Sequence, residues 1–136
     1  MARGVDYSLT FRARFLKGWR YHRESFLQIH QNVPGCRVGP LIKLEFRHGN
    51  LRHATTPLHI DEILGKWIDV RFDFNTEKSY DLYFGGTKHI SEGWWFEARD
   101  CGEPHFKLGI YRPGHSKATG DRLSVMDIDK VRLVDQ

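Results

Sequence analysis

Long apolar runs are missing from this sequence, and cysteine is scarce. No stretch approaches the about 20 apolar residues that a membrane-crossing helix needs, which excludes a helical membrane protein. The two cysteines, Cys36 and Cys101, lie far apart. No disulfide framework or paired-cysteine zinc site is therefore encoded; one bridge between the two is the alternative, and two unpaired buried thiols are the favoured expectation. The opening Met1-Ala2-Arg3-Gly4-Val5-Asp6 lacks the apolar core of a secretion signal. There is no internal repeat, low-complexity tract or linker.

What remains is ordinary globular material. The 136 residues are 40% hydrophobic and 28% charged, which suits one domain over 1–136 with a real core and is too little for two. Lys and Arg number 21 against 17 acids, giving a net charge of +4, and the pI is near 9.2. Eight histidines add positive charge below about pH 6.5. This balance favours a polyanionic partner: nucleic acid, anionic polysaccharide or a membrane surface.

The periodicity is that of strands almost throughout. Val5, Tyr7, Leu9, Phe11, Ala13 and Phe15 alternate with Asp6, Ser8, Thr10, Arg12 and Arg14, a period of two that no helix reproduces. Further strands read from Ser25 to Gln31, from Leu41 to Phe46 with a turn at His48-Gly49-Asn50, and from Trp67 to Phe74. Tyr80, Leu82 and Phe84 alternate into Gly85-Gly86, a hairpin signal. His105–Arg112 and Leu123–Val134 complete the set. Leu58–Leu64 alone offers a short helix, with Asp61 and Glu62 in its first turn and Gly65 ending it. Many short strands with Gly and Pro turns predict an all-β fold, an antiparallel β-sandwich or barrel.

Two segments carry candidate chemistry. In His105-Phe106-Lys107-Leu108-Gly109-Ile110-Tyr111-Arg112, alternation sends Phe106, Leu108 and Ile110 to the core and puts Lys107, Gly109 and Tyr111 on the other face. A glycine inside a strand asks for a reason: close approach of a ligand, or a β-bulge. Lys107 and Tyr111 would then stand about 13 Å apart along the strand. In Ser25–Gln31, alternation groups Phe26, Gln28 and His30 against Leu27 and Ile29. An amide and an imidazole side by side can hydrogen-bond a carboxylate or hydroxyl, although a lone strand histidine is more often structural.

Together these segments resemble a known family. Gln28-Ile29-His30 is similar to the Gln-Ile/Val-His motif of alginate-lyase-like enzymes, and Phe106–Arg112 resembles the Phe-Lys-x-Gly-x-Tyr strand that those enzymes share with heparin and glucuronan lyases. The resemblance implies a concanavalin-like β-jelly roll, reduced in size, whose concave sheet holds an acidic polysaccharide. It also implies β-elimination at a uronic acid. Gln28 and His30 match the positions that neutralise the carboxylate or take the proton; Tyr111 matches the general base and acid, and Lys107 a supporting cation. A free phenol has a pKa near 10, so a basic tyrosine needs nearby positive charge. No metal or organic cofactor is implied, since positioned donors in a sheltered cleft can stabilise the charge.

The sequence also departs from that pattern. Related alginate lyases carry a substrate-binding arginine on a strand well upstream of Gln-x-His. Here only 27 residues precede Gln28, and Arg23-Glu24-Ser25-Phe26 is too close to be that strand. Arg12 and Arg14 are the candidates to replace it. Arg112-Pro113 follows Tyr111, nearer the glucuronan and heparin lyase pattern, and Arg112 joins the binding set. Trp94, in Trp94-Trp95-Phe96, is a candidate sugar platform, as are Trp19 and Tyr21, with core packing the alternative for each. The 113–120 loop after Tyr111 is either a flap over substrate or a solvated hairpin loop. The chain is short beside such lyases, so exposed sheet edges predict a homodimer or a closed, reduced sandwich. The resemblance further implies a secreted or periplasmic protein.

The leading expectation is therefore a polysaccharide lyase. A non-catalytic, lectin-like carbohydrate-binding module is the alternative. Nucleic-acid binding ranks far behind, because no RNP-like aromatic pair, zinc motif or helix-turn-helix pattern is present. No membrane partner is expected.

Overall fold

The unbroken alternation at the start of the chain produces one long strand, β1 (Asp6–Leu16). Leu9, Phe11, Ala13 and Phe15 point into the core, and Arg12 and Arg14 point away from it. This computed structural model describes residues 1–16, 18–21, 23–31, 40–75, 77–93, 103–111 and 124–136. Among them follow β2 (Arg23–His30), β3 (Pro40–Arg47), β4 (Asn50–Leu51), β5 (Trp67–Asn75), β6 (Tyr80–Phe84), β7 (Thr87–Gly93), β8 (His105–Tyr111) and β9 (Val125–Asp135). Cys36, Cys101, Trp94, Trp95, Phe96, Arg112 and the 113–120 loop lie outside the described residues.

The pairings are antiparallel and form two sheets. One has the order β7-β6-β5-β1-β9, the other β4-β3-β2-β8. The all-β antiparallel sandwich read from the sequence is the observed fold. Phe84 pairs directly with Thr87, so Gly85 and Gly86 form a two-residue turn. Their φ angles of 56° and 84° are the left-handed values that such a hairpin turn requires at both positions. The expected helix shrinks to one 3-10 turn, Ile60–Glu62. His59 Nδ1 accepts from the Asp61 N–H at 3.1 Å and the Glu62 carboxylate accepts from the His59 N–H at 2.7 Å, a reciprocal cap that suits a single turn.

The two sheets meet over an aromatic core. Phe15, Trp19, Phe26, Phe46, Phe72 and Phe84 are buried. Phe26 packs edge-on to Phe15 at 5.7 Å between centroids and lies 5.6 Å from Phe46 and 5.8 Å from Phe84, distances within the favourable range for aromatic pairs. Trp19 is a core residue, not a sugar platform. Its indole N–H donates to the Val125 carbonyl at 2.9 Å, tying the β1–β2 connection to the edge strand β9. Along that edge a register shift between Thr10 and Arg12 accompanies Lys130 at φ 53°, a bulge of the kind that blunts an open edge.

Candidate active site

The candidate site is built on β2, which lies between β3 and β8. Strict alternation would group Phe26 with Gln28 and His30, and the structure corrects this. The β2 register shifts between Ser25 and Leu27 against both neighbours. The extra residue turns Phe26 inward, where it is fully buried, and it changes which side chains share a face. Ser25 and Gln28, three residues apart, now lie together. Gln28 Nε2 donates to Ser25 Oγ at 2.9 Å, and His30 Nε2 is 2.7 Å from Gln28 Oε1.

A second irregularity lies opposite. Between Tyr111 and Leu108, β8 spans three positions while β2 spans two, and Gly109 there has φ 131°. A side chain at that φ is strained, so glycine is needed for the backbone itself. Of the two readings of Gly109, the bulge is the one observed. Phe106 and Leu108 pack against the core as expected, but Ile110 does not: past the bulge it is 42% exposed.

Because cross-strand partners share a face, the register arranges the outer surface of this sheet in rows. Glu45, Ser25 and Tyr111 make one row, and Lys43, Gln28 and Lys107 the next. His30 and His105 make a third, their rings stacked at 6.0 Å and 22°. Ser25, Gln28 and His30 are almost fully buried, whereas Tyr111 is 54% exposed. A fixed polar floor thus meets a phenol open to solvent. Four of the predicted residues, Gln28, His30, Lys107 and Tyr111, lie on this one face.

The charge of the face is organised by a carboxylate that the sequence reading missed. Glu45 is 3% exposed and ion-paired to Arg52 at 2.7 Å, Arg23 at 3.1 Å and Lys43 at 3.2 Å. Burial alone would raise the Glu45 pKa, but hydrogen bonds from Arg23, Arg52 and Lys43 outweigh it and hold the carboxyl below its usual range. Lys43, Ser25 and His105 were also missed. Their signal is modest: Pro40-Leu41-Ile42-Lys43-Leu44-Glu45 places Lys43 and Glu45 two apart, on one face of a strand.

Arg12 and Arg14 do not reach this site. They project from the outer face of the five-stranded sheet, across the core from His30. Arg14 bonds Asp127 at 2.6 and 2.9 Å, Arg12 faces Asp129 at 3.4 Å, and both guanidinium groups sit over the Trp67 ring at 5.0 and 4.8 Å. Alternation showed that they point outward; it had no means of showing from which sheet. A groove of about 450 Å³ on that same face is lined by Arg12, Arg71, Tyr83 and Lys130. Its arginines Arg12 and Arg71 are committed to Asp129 and Asp73, which takes their charge away from a substrate carboxylate. Trp94 and Arg112 remain outside the described residues.

Two antiparallel sheets, the smaller with a polar outer face, define a β-sandwich. Comparison with solved structures narrows this to the β-jelly-roll class. An alginate lyase of polysaccharide lyase family 7 superposes with a TM-score of 0.68 at 14% identity, covering 98% of this chain and 61% of the enzyme. A second family 7 alginate lyase, with one histidine changed to Asn and one tyrosine to Phe and solved in complex with substrate, gives 0.61 at 13% identity, covering 99% and 63%. The receptor-binding domain of a botulinum neurotoxin C/D mosaic serotype gives 0.54 at 15% identity, covering 96% and 32%. The chain therefore has the jelly-roll fold of the alginate lyases and spans a little over three-fifths of the length of these two. No family model and no curated protein matches its sequence.

Proposed function

We propose that this chain is a polysaccharide lyase that cleaves an acidic, uronate-containing glycan by β-elimination. The observation that carries this reading is the row structure of the smaller sheet. Gln28 stands between Lys43 and Lys107, with His30 on one side of the row and Tyr111 on the other. A uronate carboxylate over Gln28 meets an ammonium from each neighbouring strand. The amide nitrogen carries two protons, and Ser25 takes only one.

The chemistry follows from that placement. Tyr111, as the exposed group, acts from its phenolate form: its oxygen takes the C5 proton and becomes the phenol. The C5 electron pair moves toward the C6 carboxylate, where Lys43, Lys107 and the Gln28 amide stabilise the enolate-like charge. Collapse forms the C4=C5 double bond and breaks the C4–O bond, and the phenol returns its proton to the departing glycosidic oxygen. His30, nine-tenths buried and bonded to Gln28, holds the amide in place. Arg23 and Arg52, grouped around Glu45, extend the cationic floor for further carboxylates of the polymer. Arg12 and Arg14 have no role in this reading.

The test is incubation with alginate, glucuronan and heparin while following the ultraviolet absorbance of the unsaturated uronate that elimination leaves. Wild type is expected to raise it, and Tyr111→Phe to lose roughly a hundredfold or more of that rate. Saturable binding of the polymers with no rise in absorbance would instead identify a carbohydrate-binding module.

A further inference from the structure

Ser25 lies beneath the candidate site, 1% exposed, and contacts both of its halves. Its hydroxyl oxygen is 3.4 Å from the Tyr111 carbonyl oxygen and 2.9 Å from Gln28 Nε2, and Gln28 Oε1 is in turn 2.7 Å from His30 Nε2. These contacts have a fixed polarity. A carbonyl oxygen only accepts, so the single hydroxyl proton of Ser25 goes to Tyr111. The Ser25 oxygen is then the acceptor for the Gln28 amide N–H. That orients the amide with Oε1 toward His30, and an amide oxygen also only accepts. His30 Nε2 must therefore carry a proton.

We infer that Ser25 is a positioning residue, ordering a hydrogen-bond chain from the Tyr111 carbonyl through Gln28 that holds His30 as its Nε2–H tautomer. The tautomer of an imidazole is set by the partner of one ring nitrogen, and here that partner is oriented by a serine two links away. The β2 bulge makes the chain possible, because without it Ser25 and Gln28 would face opposite sides of the sheet. With Nε2–H committed to Gln28, His30 is held as a polar support, and the proton transfer falls to Tyr111. The kinetic part of this inference rests on the lyase reading; the tautomer does not.

The experiment is nitrogen-15 NMR of the histidine-labelled full chain, with His30 assigned from the signal lost in His30→Asn. Wild type at neutral pH should show His30 protonated at Nε2. Ser25→Ala should give a tautomer mixture and a roughly tenfold lower kcat with KM changed less than about twofold, and Ser25→Thr, which keeps the hydroxyl, should restore both. Wild-type His30 protonated at Nδ1 alone, or unchanged His30 nitrogen shifts in Ser25→Ala, would overturn the inference. Should Ser25→Ala fail to fold, the wild-type and Ser25→Thr spectra still decide it. Absence of lyase activity alongside a tautomer change in Ser25→Ala would sink the proposed function and leave the ordering role standing.

Discussion

Replacing Glu45 with glutamine separates stability from binding on the candidate face. The carboxylate is 3% exposed, while its partners Arg23, Lys43 and Arg52 are 43%, 25% and 29% exposed. Each contact is therefore a partly solvated ion pair worth about 0.5–1 kcal/mol, and the three together about 1.5–3 kcal/mol. Glutamine keeps one acceptor and loses the charge, so Glu45→Gln should lower the urea midpoint at pH 7 by about 1 M, given the usual denaturant dependence of small proteins. The pH dependence has a definite sign. The folded-state pKa of Glu45 lies below its ordinary value of 4.5, so its contribution is complete above about 4.5 and is lost as the pH falls through the lower folded value. Wild type and variant should converge in that window, because the wild-type side chain is then neutral too. Binding should move the other way: with one negative charge removed, an anionic polymer should bind more tightly at low salt. A stability gap that does not narrow as the pH is lowered below about 4.5 through the acid range in which the protein stays folded, or weaker polymer binding by Glu45→Gln, would refute the assigned role.

Lys43→Ala should raise KM for a uronate polymer several-fold, whereas Arg12→Ala and Arg14→Ala, on the far sheet, should leave it within about twofold; steady-state kinetics compares them directly. Phe26→Ala should cost about 3–5 kcal/mol in urea unfolding because its ring is enclosed by three others, while an outward-facing Phe26 would lose less than about 1 kcal/mol. Gly109→Ala meets no neighbouring atom within 4 Å, so its cost is backbone strain of about 1–3 kcal/mol. Because the bulge sets the face of Tyr111, activity in that variant should fall by more than the unfolded fraction measured by circular dichroism explains.

The fold was legible where the chain keeps one rule. β1 alternates without a break, and Gly85-Gly86 supplies the turn residues its hairpin needs. The floor of the candidate site was legible less completely, because β2 breaks the rule. Phe26 and Leu27 are adjacent apolar residues between Ser25 and Gln28, a polar-apolar-apolar-polar sequence that period two does not accommodate and a bulge does. Reading through it kept Gln28 and His30 together but hid Ser25. The same cause misplaced Ile110, which the Gly109 bulge turns outward. Arg12 and Arg14 failed for another reason: alternation gives the side of a strand, and only pairing across long sequence separations gives its sheet. Lys43 and Glu45 were passed over because each is an ordinary strand residue until β3 is aligned beside β2.

The fold does not by itself choose between an enzyme and a binding module, since the same sandwich matches alginate lyases and a neurotoxin receptor-binding domain. Charge does not choose either. Arg23, Lys43 and Arg52 surround Glu45, three cations to one carboxylate, with Lys107 in the next row, while on the other sheet Arg12, Arg14, Arg71 and Lys88 each face an aspartate of their own, Asp129, Asp127, Asp73 and Asp81. That asymmetry would serve any polyanion-binding surface. Elimination needs one thing more, a group that moves a proton, and of the four predicted residues on this face Tyr111 is the exposed phenol. Tyr111→Phe removes a single oxygen and leaves the cationic rows untouched. The variant should hold a uronate polymer with a Kd within about tenfold of wild type, since one lost hydrogen bond costs only about 0.5–1.5 kcal/mol, while its turnover falls a hundredfold or more. Calorimetric titration beside the absorbance assay measures both. If binding and turnover instead fall by the same factor, Tyr111 is a contact for the sugar rather than the carrier of its proton.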